Sequence, residues 1–172
     1  MLRLSAVILT LVTGFSAPSL SHAAGQVVAI NEGVRLEPGS ILVRKKERAL
    51  YYILDDQSAI RYPVAVPKSG KEWSGYARVD GKYLAPAWSP PAEVKRDNPN
   101  LPDVIPGGAP NNPMGAAALT LDRSEIAIHG TTKAMRKSIG TAASYGCIRM
   151  LNEDILDLHS RVEIGTTVLM TQ

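Results

Sequence analysis

Residues 128–150 have the sequence IHGTTKAMRKSIGTAASYGCIRM, and the rest of the chain is organised around this stretch. Cys147 is the one cysteine of the 172-residue chain, and His129 is one of three histidines. A cysteine among small residues, with a histidine elsewhere in the chain, is typical of a thiol–imidazole pair for nucleophilic catalysis. The histidine precedes the cysteine here, whereas papain-like enzymes have the reverse order. The stretch therefore predicts a cysteine enzyme that transfers acyl groups.

The same stretch suggests a role for each residue close to the sulfur. A thiolate beside an imidazolium is a better nucleophile than a neutral thiol, so Cys147 is predicted to attack and His129 to act as general base and then general acid. Gly146 leaves the backbone in front of the nucleophile unobstructed. The amide groups of Gly146 and Cys147 are therefore candidate donors to the oxyanion of a tetrahedral intermediate.

Two further residues of the motif each have two interpretations. Arg149 is a candidate ligand for a substrate carboxylate, and the alternative is an ion pair with Glu153 or Asp154. Ser144 either orients the site through its hydroxyl or forms the turn before the nucleophile. A metal site is not expected, because one cysteine and scattered histidines do not make a ligand set.

The first 23 residues have the features of a secretory signal peptide. Arg3 gives a positive start, residues 6–15 are an apolar run too short to span a bilayer, and residues 21–23 offer a small-x-small cleavage site. The alternative is a buried N-terminal helix. Without Arg3, 18 basic and 16 acidic residues remain, a net charge of +2. This mild excess is unlike a nucleic-acid binder. We therefore expect an exported protein of the periplasm or cell envelope.

Short apolar runs between turn residues predict a mainly β fold with one short helix. Residues 24–40 have no sustained periodicity and form a lead-in to a domain over residues 41–172. Asn152 is predicted to cap the helix, with Ile155, Leu158 and Val162 on one face and Gly165 at its end. The predicted strands are residues 41–43, 49–54, 59–66, two short strands within 73–84 that turn at Asp80-Gly81, 116–121, 126–129 and 166–170.

Residues 86–113 differ from the rest, because they contain eight of the twelve prolines. A segment of this length without periodicity is usually a functional loop or disordered. The apolar residues within it, such as Trp88 and Ile105, predict that it packs onto the domain.

Taken together, the motifs resemble those of the L,D-transpeptidases, which have the YkuD-type catalytic domain. The resemblance rests on His129-Gly130-Thr131, on the spacing of 18 residues to Cys147, and on the sequence from Ser144 to Arg149. It extends to residues 48–51, 62–64, 86–90 and 112–115, and it covers the chain from about Ser40 onward.

The resemblance implies a β-sandwich-like mixed fold and a peptidoglycan substrate, with roles in cell wall organisation and cell shape. Cys147 would attack the L-centre carbonyl of the third residue of a stem tetrapeptide and release D-alanine. The acyl group would then pass to an acceptor amine of another stem peptide or an envelope lipoprotein. His129 would be oriented by the carbonyl of Gly130, and Arg149, Ser144 and Tyr145 would bind substrate. No cofactor is implied, and carbapenem-type β-lactams would acylate the same sulfur.

One position departs from the family pattern, and three other functions compete with transpeptidation. Many members have histidine where this chain has Tyr145, which can still donate one hydrogen bond. The competing functions are an L,D-carboxypeptidase that hydrolyses the same thioester, an inactive peptidoglycan-binding module, and an exported thiol redox protein.

Overall fold

A computed structural model of the chain describes residues 25–30 and 36–172. The expected signal peptide lies outside the described residues. No helix of the described ranges has both the length and the apolar character needed to cross a membrane. The strands, in chain order, are β1 (Gln26–Ala29), β2 (Ile41–Arg44), β3 (Ala49–Ile53), β4 (Ser58–Pro63), β5 (Val66–Pro67), β6 (Gly75–Leu84), β7 (Ala117–Leu121), β8 (Ala127–His129), β9 (Ala142–Ser144), β10 (Ile148–Arg149) and β11 (Thr167–Thr171). The helices are α1 (Ala92–Asp97), the 3-10 helix Ala134–Ser138, and α2 (Asn152–Arg161).

Nine of these strands form one sheet in the order β1-β4-β3-β2-β11-β6-β7-β8-β10, and β5 pairs with β9 separately. Neighbours in the large sheet are antiparallel except for two parallel pairs, β2 with β11 and β8 with β10. The first half of β6 pairs with β11 and its second half pairs with β7, with a register shift between Val79 and Gly81. Such irregularities bend a strand. The mainly β fold predicted from the sequence is confirmed.

The helix α2 packs against the sheet and completes the main core. Its Ile155 and Leu158 are fully buried, as is Val162 directly after it, so the predicted apolar face is confirmed. Tyr62 is also fully buried, and its hydroxyl donates to Asp157 of α2 over 2.5 Å. Burial of side chains like these is the main favourable contribution to folding.

Three local predictions were wrong, each for a physical reason. Residues 75–84 form one strand and not two, because pairing with two different neighbours outweighs the turn signal of Asp80-Gly81. The lead-in contains β1, which pairs with β4. Leu151, and not Asn152, occupies the N-cap of α2, since the Asn152 side chain accepts hydrogen bonds from elsewhere.

The parallel pairing of β8 and β10 is what positions the motif. Ile148 lies opposite Ile128 and Arg149 opposite His129. The amide of Met150 extends the pairing by donating to the His129 carbonyl over 2.8 Å. The chain crosses from one strand to the other through the 3-10 helix and β9. Backbone hydrogen bonds therefore fix the two ends of the predicted catalytic stretch side by side.

Candidate active site

His129 is the last residue of β8, and its side chain is buried. Its Nδ1 lies 2.8 Å from the carbonyl oxygen of Gly130. A carbonyl oxygen only accepts, so Nδ1 carries the proton of the neutral ring and Nε2 is left as the acceptor. Asn152 supports this turn, because its Oδ1 accepts from the amides of Thr131 (2.9 Å) and Ala116 (3.1 Å). The fold therefore holds His129 in the orientation that a base requires.

Cys147 follows a tight loop whose shape depends on glycine. Gly146 has φ +134°, and a Cβ there would lie 2.4 Å from Cδ1 of Ile126. Any side chain at this position would therefore be strained and would also clash. The Ser144 hydroxyl closes the loop, accepting from the Gly146 amide (3.3 Å) and donating to the Cys147 carbonyl. Ser144 thus forms the turn in the structure, and its predicted contact with substrate stays a prediction.

The thiol and the imidazole line the same cleft, which has a volume of about 1410 Å³. Cys147 is partly exposed, and its Sγ donates to the carbonyl of Glu125 over 3.5 Å. Within the described part of the chain, no hydrogen bond joins Sγ to the His129 ring. Glu125 itself has φ +61°, a strained conformation for a residue other than glycine. Direct proton transfer from Sγ to the His129 ring would therefore require the thiol to turn away from the Glu125 carbonyl.

Burial determines the resting protonation of both groups. It lowers the pKa of His129 to about 4; the nearby charge of Arg149 acts in the same direction, and the carbonyls of Gly130 and Pro113 oppose it. Burial also raises the pKa of the Cys147 thiol, while the Ala127 amide and Arg149 act against this. These shifts favour a neutral thiol and a neutral imidazole at neutral pH. His129 is therefore suited to accept the proton during attack.

Arg149 contributes a desolvated positive charge to the cleft. Burial lowers the pKa of its guanidinium, Nη1 donates to the Ser138 hydroxyl over 2.8 Å, and Nε is buried without a partner. The alternative ion pair of Arg149 with Glu153 or Asp154 is not found in the described residues, and Glu153 binds Arg136. No carboxylate pairs with Arg149 among residues 25–30 and 36–172. A partly buried cation without an anion is a favourable place for a ligand carboxylate.

Tyr145 joins the motif to the proline-rich segment. Its hydroxyl donates to Asp97 at the end of α1 over 2.8 Å, and Lys68 Nζ lies 3.5 Å from its ring centroid. Residues 88–94 line the cleft from the same segment, and Lys71 pairs with Glu93 over 2.5 Å. The proline-rich segment therefore packs onto the domain as one wall of the cleft, as its apolar residues predicted.

Sequence reasoning missed Trp73. Its indole Nε1 donates to the carbonyl of Gly146 over 2.9 Å, although the two residues are 73 positions apart. The guanidinium of Arg123 lies 4.7 Å from the centroid of the Trp73 ring. No local pattern connects such distant positions. In the ranges that the structure describes, no three His, Cys, Asp or Glu side chains are grouped to hold a metal ion.

The chain is similar to several known proteins. The family model of the L,D-transpeptidase catalytic domain, YkuD, matches residues 38–170. ErfK/SrfK of Escherichia coli (strain K12), named as a probable L,D-transpeptidase, is 36% identical over 135 residues, which are 74% of this chain and 42% of that protein. YqjB of Bacillus subtilis (strain 168) is 32% identical over 137 residues, 76% of this chain and 70% of that protein. The chain thus spans less than half the length of ErfK/SrfK.

Solved structures share the fold. L,D-transpeptidase 3 from Mycobacterium tuberculosis, in complex with a faropenem-derived adduct, has a TM-score of 0.60 at 12% identity. The similarity covers 77% of this chain and 60% of that one. At this level of identity the similarity supports the fold alone, and it confirms the fold that the motifs predicted.

Proposed function

The chain belongs to the L,D-transpeptidase catalytic domain family, YkuD, and on that premise we propose that it is an exported enzyme that transfers acyl groups between peptidoglycan stem peptides. One observation carries the proposal: Cys147 and His129 line one cleft beside the partly buried guanidinium of Arg149. A nucleophile, a base and an unpaired cation together suit a peptide substrate that carries a carboxylate.

The first half of the proposed reaction forms a thioester. Cys147 Sγ attacks the carbonyl of the third residue of a stem tetrapeptide, and its proton passes to Nε2 of His129. The negative oxygen of the tetrahedral intermediate accepts from the backbone amide of Cys147. The Gly146 amide, also predicted as a donor from the sequence, is bonded to Ser144 Oγ instead. His129 then returns the proton to the departing amine, and D-alanine leaves. Arg149 holds a carboxylate of the donor and keeps its carbonyl near the sulfur.

The second half regenerates the thiol. An acceptor amine attacks the thioester, His129 takes the amine's proton, and the sulfur leaves and regains a proton. Water in place of the amine would give the carboxypeptidase reaction. Stem peptides and an envelope lipoprotein are both amine sources of the right chemistry. No observation on the fold or the cleft favours hydrolysis, the inactive module or redox chemistry over transfer.

Two further parts of the proposal concern localisation and inhibition. The basic, apolar and small-residue pattern of residues 1–23 supports export to the envelope, where peptidoglycan lies. The faropenem-derived adduct of Mycobacterium tuberculosis L,D-transpeptidase 3 and the complex of LdtMt1 with imipenem support inhibition by penem and carbapenem β-lactams. On this chain the acylated atom would be Cys147 Sγ.

Intact mass spectrometry tests the proposed reaction. The protein is incubated with a muropeptide tetrapeptide, and Cys147→Ala and His129→Gln are treated in parallel. We expect a thioester adduct and released D-alanine from the wild type, no adduct from the cysteine variant, and a much slower adduct from the histidine variant. An added acceptor amine should then remove the adduct as a new peptide bond. Folded wild type that forms neither adduct nor D-alanine would refute the proposal, and free acid in place of the amide would show hydrolysis.

A further inference from the structure

Trp73 makes a hydrogen bond to the peptide unit that carries the nucleophile. The residue lies between β5 and β6 and packs half-buried against the main core. Its Nε1 donates to the Gly146 carbonyl over 2.9 Å. Buried tryptophans usually find a partner for their N–H, but this partner is the backbone directly before Cys147. The bond therefore ties the core to the catalytic loop.

The backbone groups of this loop differ in whether they have partners. The Gly146 amide donates to Ser144 Oγ, the Gly146 carbonyl accepts from Trp73, and the Cys147 carbonyl accepts from Ser144 Oγ. The Cys147 amide has no partner within the described part of the chain. The donor next to the sulfur is thus the one left available to a ligand.

Peptide geometry connects the bond from Trp73 to the Gly146 carbonyl with the availability of the Cys147 amide. The Gly146 carbonyl and the Cys147 amide belong to one peptide unit, which is trans, so they point in opposite directions. Holding the carbonyl against Trp73 therefore holds the amide away from it. Glycine allows a wide range of backbone angles, so Gly146 does little by itself to stop this unit from rotating.

We propose that Trp73 is a positioning residue: its indole N–H fixes the Gly146–Cys147 peptide so that the Cys147 amide faces the substrate oxyanion. The bond also polarises the peptide and strengthens its amide as a donor. This inference rests on the proposed function, because it assigns a role in the acyl transfer described above.

Arg123 holds the indole in place. Its guanidinium lies 4.7 Å from the ring centroid of Trp73, and its Nη2 donates to the carbonyls of Ser74 (3.3 Å) and Tyr76 (3.0 Å). A guanidinium over an indole face is an attractive cation–π contact. Arg123 thus binds both the ring and the backbone that follows it, which limits the movement of Trp73.

The experiment compares two reactions of the same sulfur. p-Nitrophenyl acetate acylates the thiol through a tetrahedral oxyanion, whereas iodoacetamide alkylates it by direct displacement and forms no oxyanion. In Trp73→Phe, which keeps an aromatic ring but loses the N–H, we expect acylation to slow by about 10- to 100-fold, somewhat less than deletion of an oxyanion donor. Alkylation should stay within about twofold of wild type, because it needs no oxyanion donor.

Tyr52→Phe is the matched control, since the Tyr52 hydroxyl also donates to a backbone carbonyl, that of Arg161, over 3.2 Å and away from the cleft. Its two rates should both equal those of the wild type. Benzothienylalanine at position 73 replaces the N–H with sulfur at nearly constant shape, and it should reproduce Trp73→Phe. Unchanged acylation, or equal losses in both reactions, would overturn the inference. Neither probe is a peptidoglycan fragment, so the result is independent of whether the stem-peptide substrate is correct.

Discussion

A fall in pH from 7 to 5 should destabilise this fold through His129. Its pKa is about 4 in the folded chain, against a usual value of 6.5. Below pH 6.5 the unfolded chain therefore binds a proton that the folded chain does not, and the free energy of unfolding falls. For these two values, proton linkage gives a loss of about 2 kcal/mol between pH 7 and 5. The loss approaches about 3 kcal/mol below pH 4, where both states are protonated.

Urea unfolding, followed by the fluorescence of Trp73 and Trp88, measures this loss. His129→Gln serves as the reference, because an amide does not titrate, while every other ionisable group is kept. One of these groups is His159, whose pKa is lowered chiefly by burial and which is present in both proteins. The free energy of unfolding of the wild type should fall more steeply than that of the variant, by about 2 kcal/mol over this range. Parallel curves would show that His129 titrates normally and that the resting imidazole is not held neutral.

Substitutions at three positions test other parts of the site. Gly146→Ala should lower the free energy of unfolding by about 2 to 4 kcal/mol in urea titration, because the new side chain is strained at the positive φ and contacts Ile126. Near-wild-type stability of this variant would contradict the loop geometry. Asn152→Ala leaves two amides without an acceptor, so it should lower the free energy of unfolding by about 1 to 3 kcal/mol and slow acylation. Asn152→Asp keeps the oxygen and should remain close to wild type in both the unfolding and the acylation assay. Tyr145→Phe breaks the bond to Asp97 and should speed amide hydrogen exchange in α1 with less than about 1 kcal/mol lost overall; unchanged exchange would mean that this bond does not hold the wall of the cleft.

The candidate site residues could be proposed from sequence because their signals are local. A single cysteine in a Gly-Cys-Ile-Arg motif, with a histidine 18 positions earlier, needs no structure to be recognised. The strands around β3 and β4 and the apolar face of α2 were predicted for the same reason, since each has its own periodicity. The bond from Trp73 to Gly146 could not be predicted, because it joins positions that only the folded sheet brings together.

Two other features could not be predicted from the sequence, because one depends on burial and the other on competing strand partners. The neutral state of His129 follows from its burial, which a motif does not report. Asp80-Gly81 has the composition of a turn, yet it lies inside β6 because the strand continues from one partner to the next. In both cases tertiary packing outweighs the local preference.

The place of β11 in the sheet has a consequence for how the protein is made. This strand is the last in chain order, yet it lies between β2 and β6 and pairs with both. Among the described strands of the large sheet, β1 to β4 lie on one side of β11, and β6, β7, β8 and β10 lie on the other. A ribosome that makes the chain from its N-terminus finishes both halves before it makes the strand that joins them. Folding of the whole sheet therefore has to wait for β11, and a nascent chain cannot complete the sheet until this strand emerges from the ribosome.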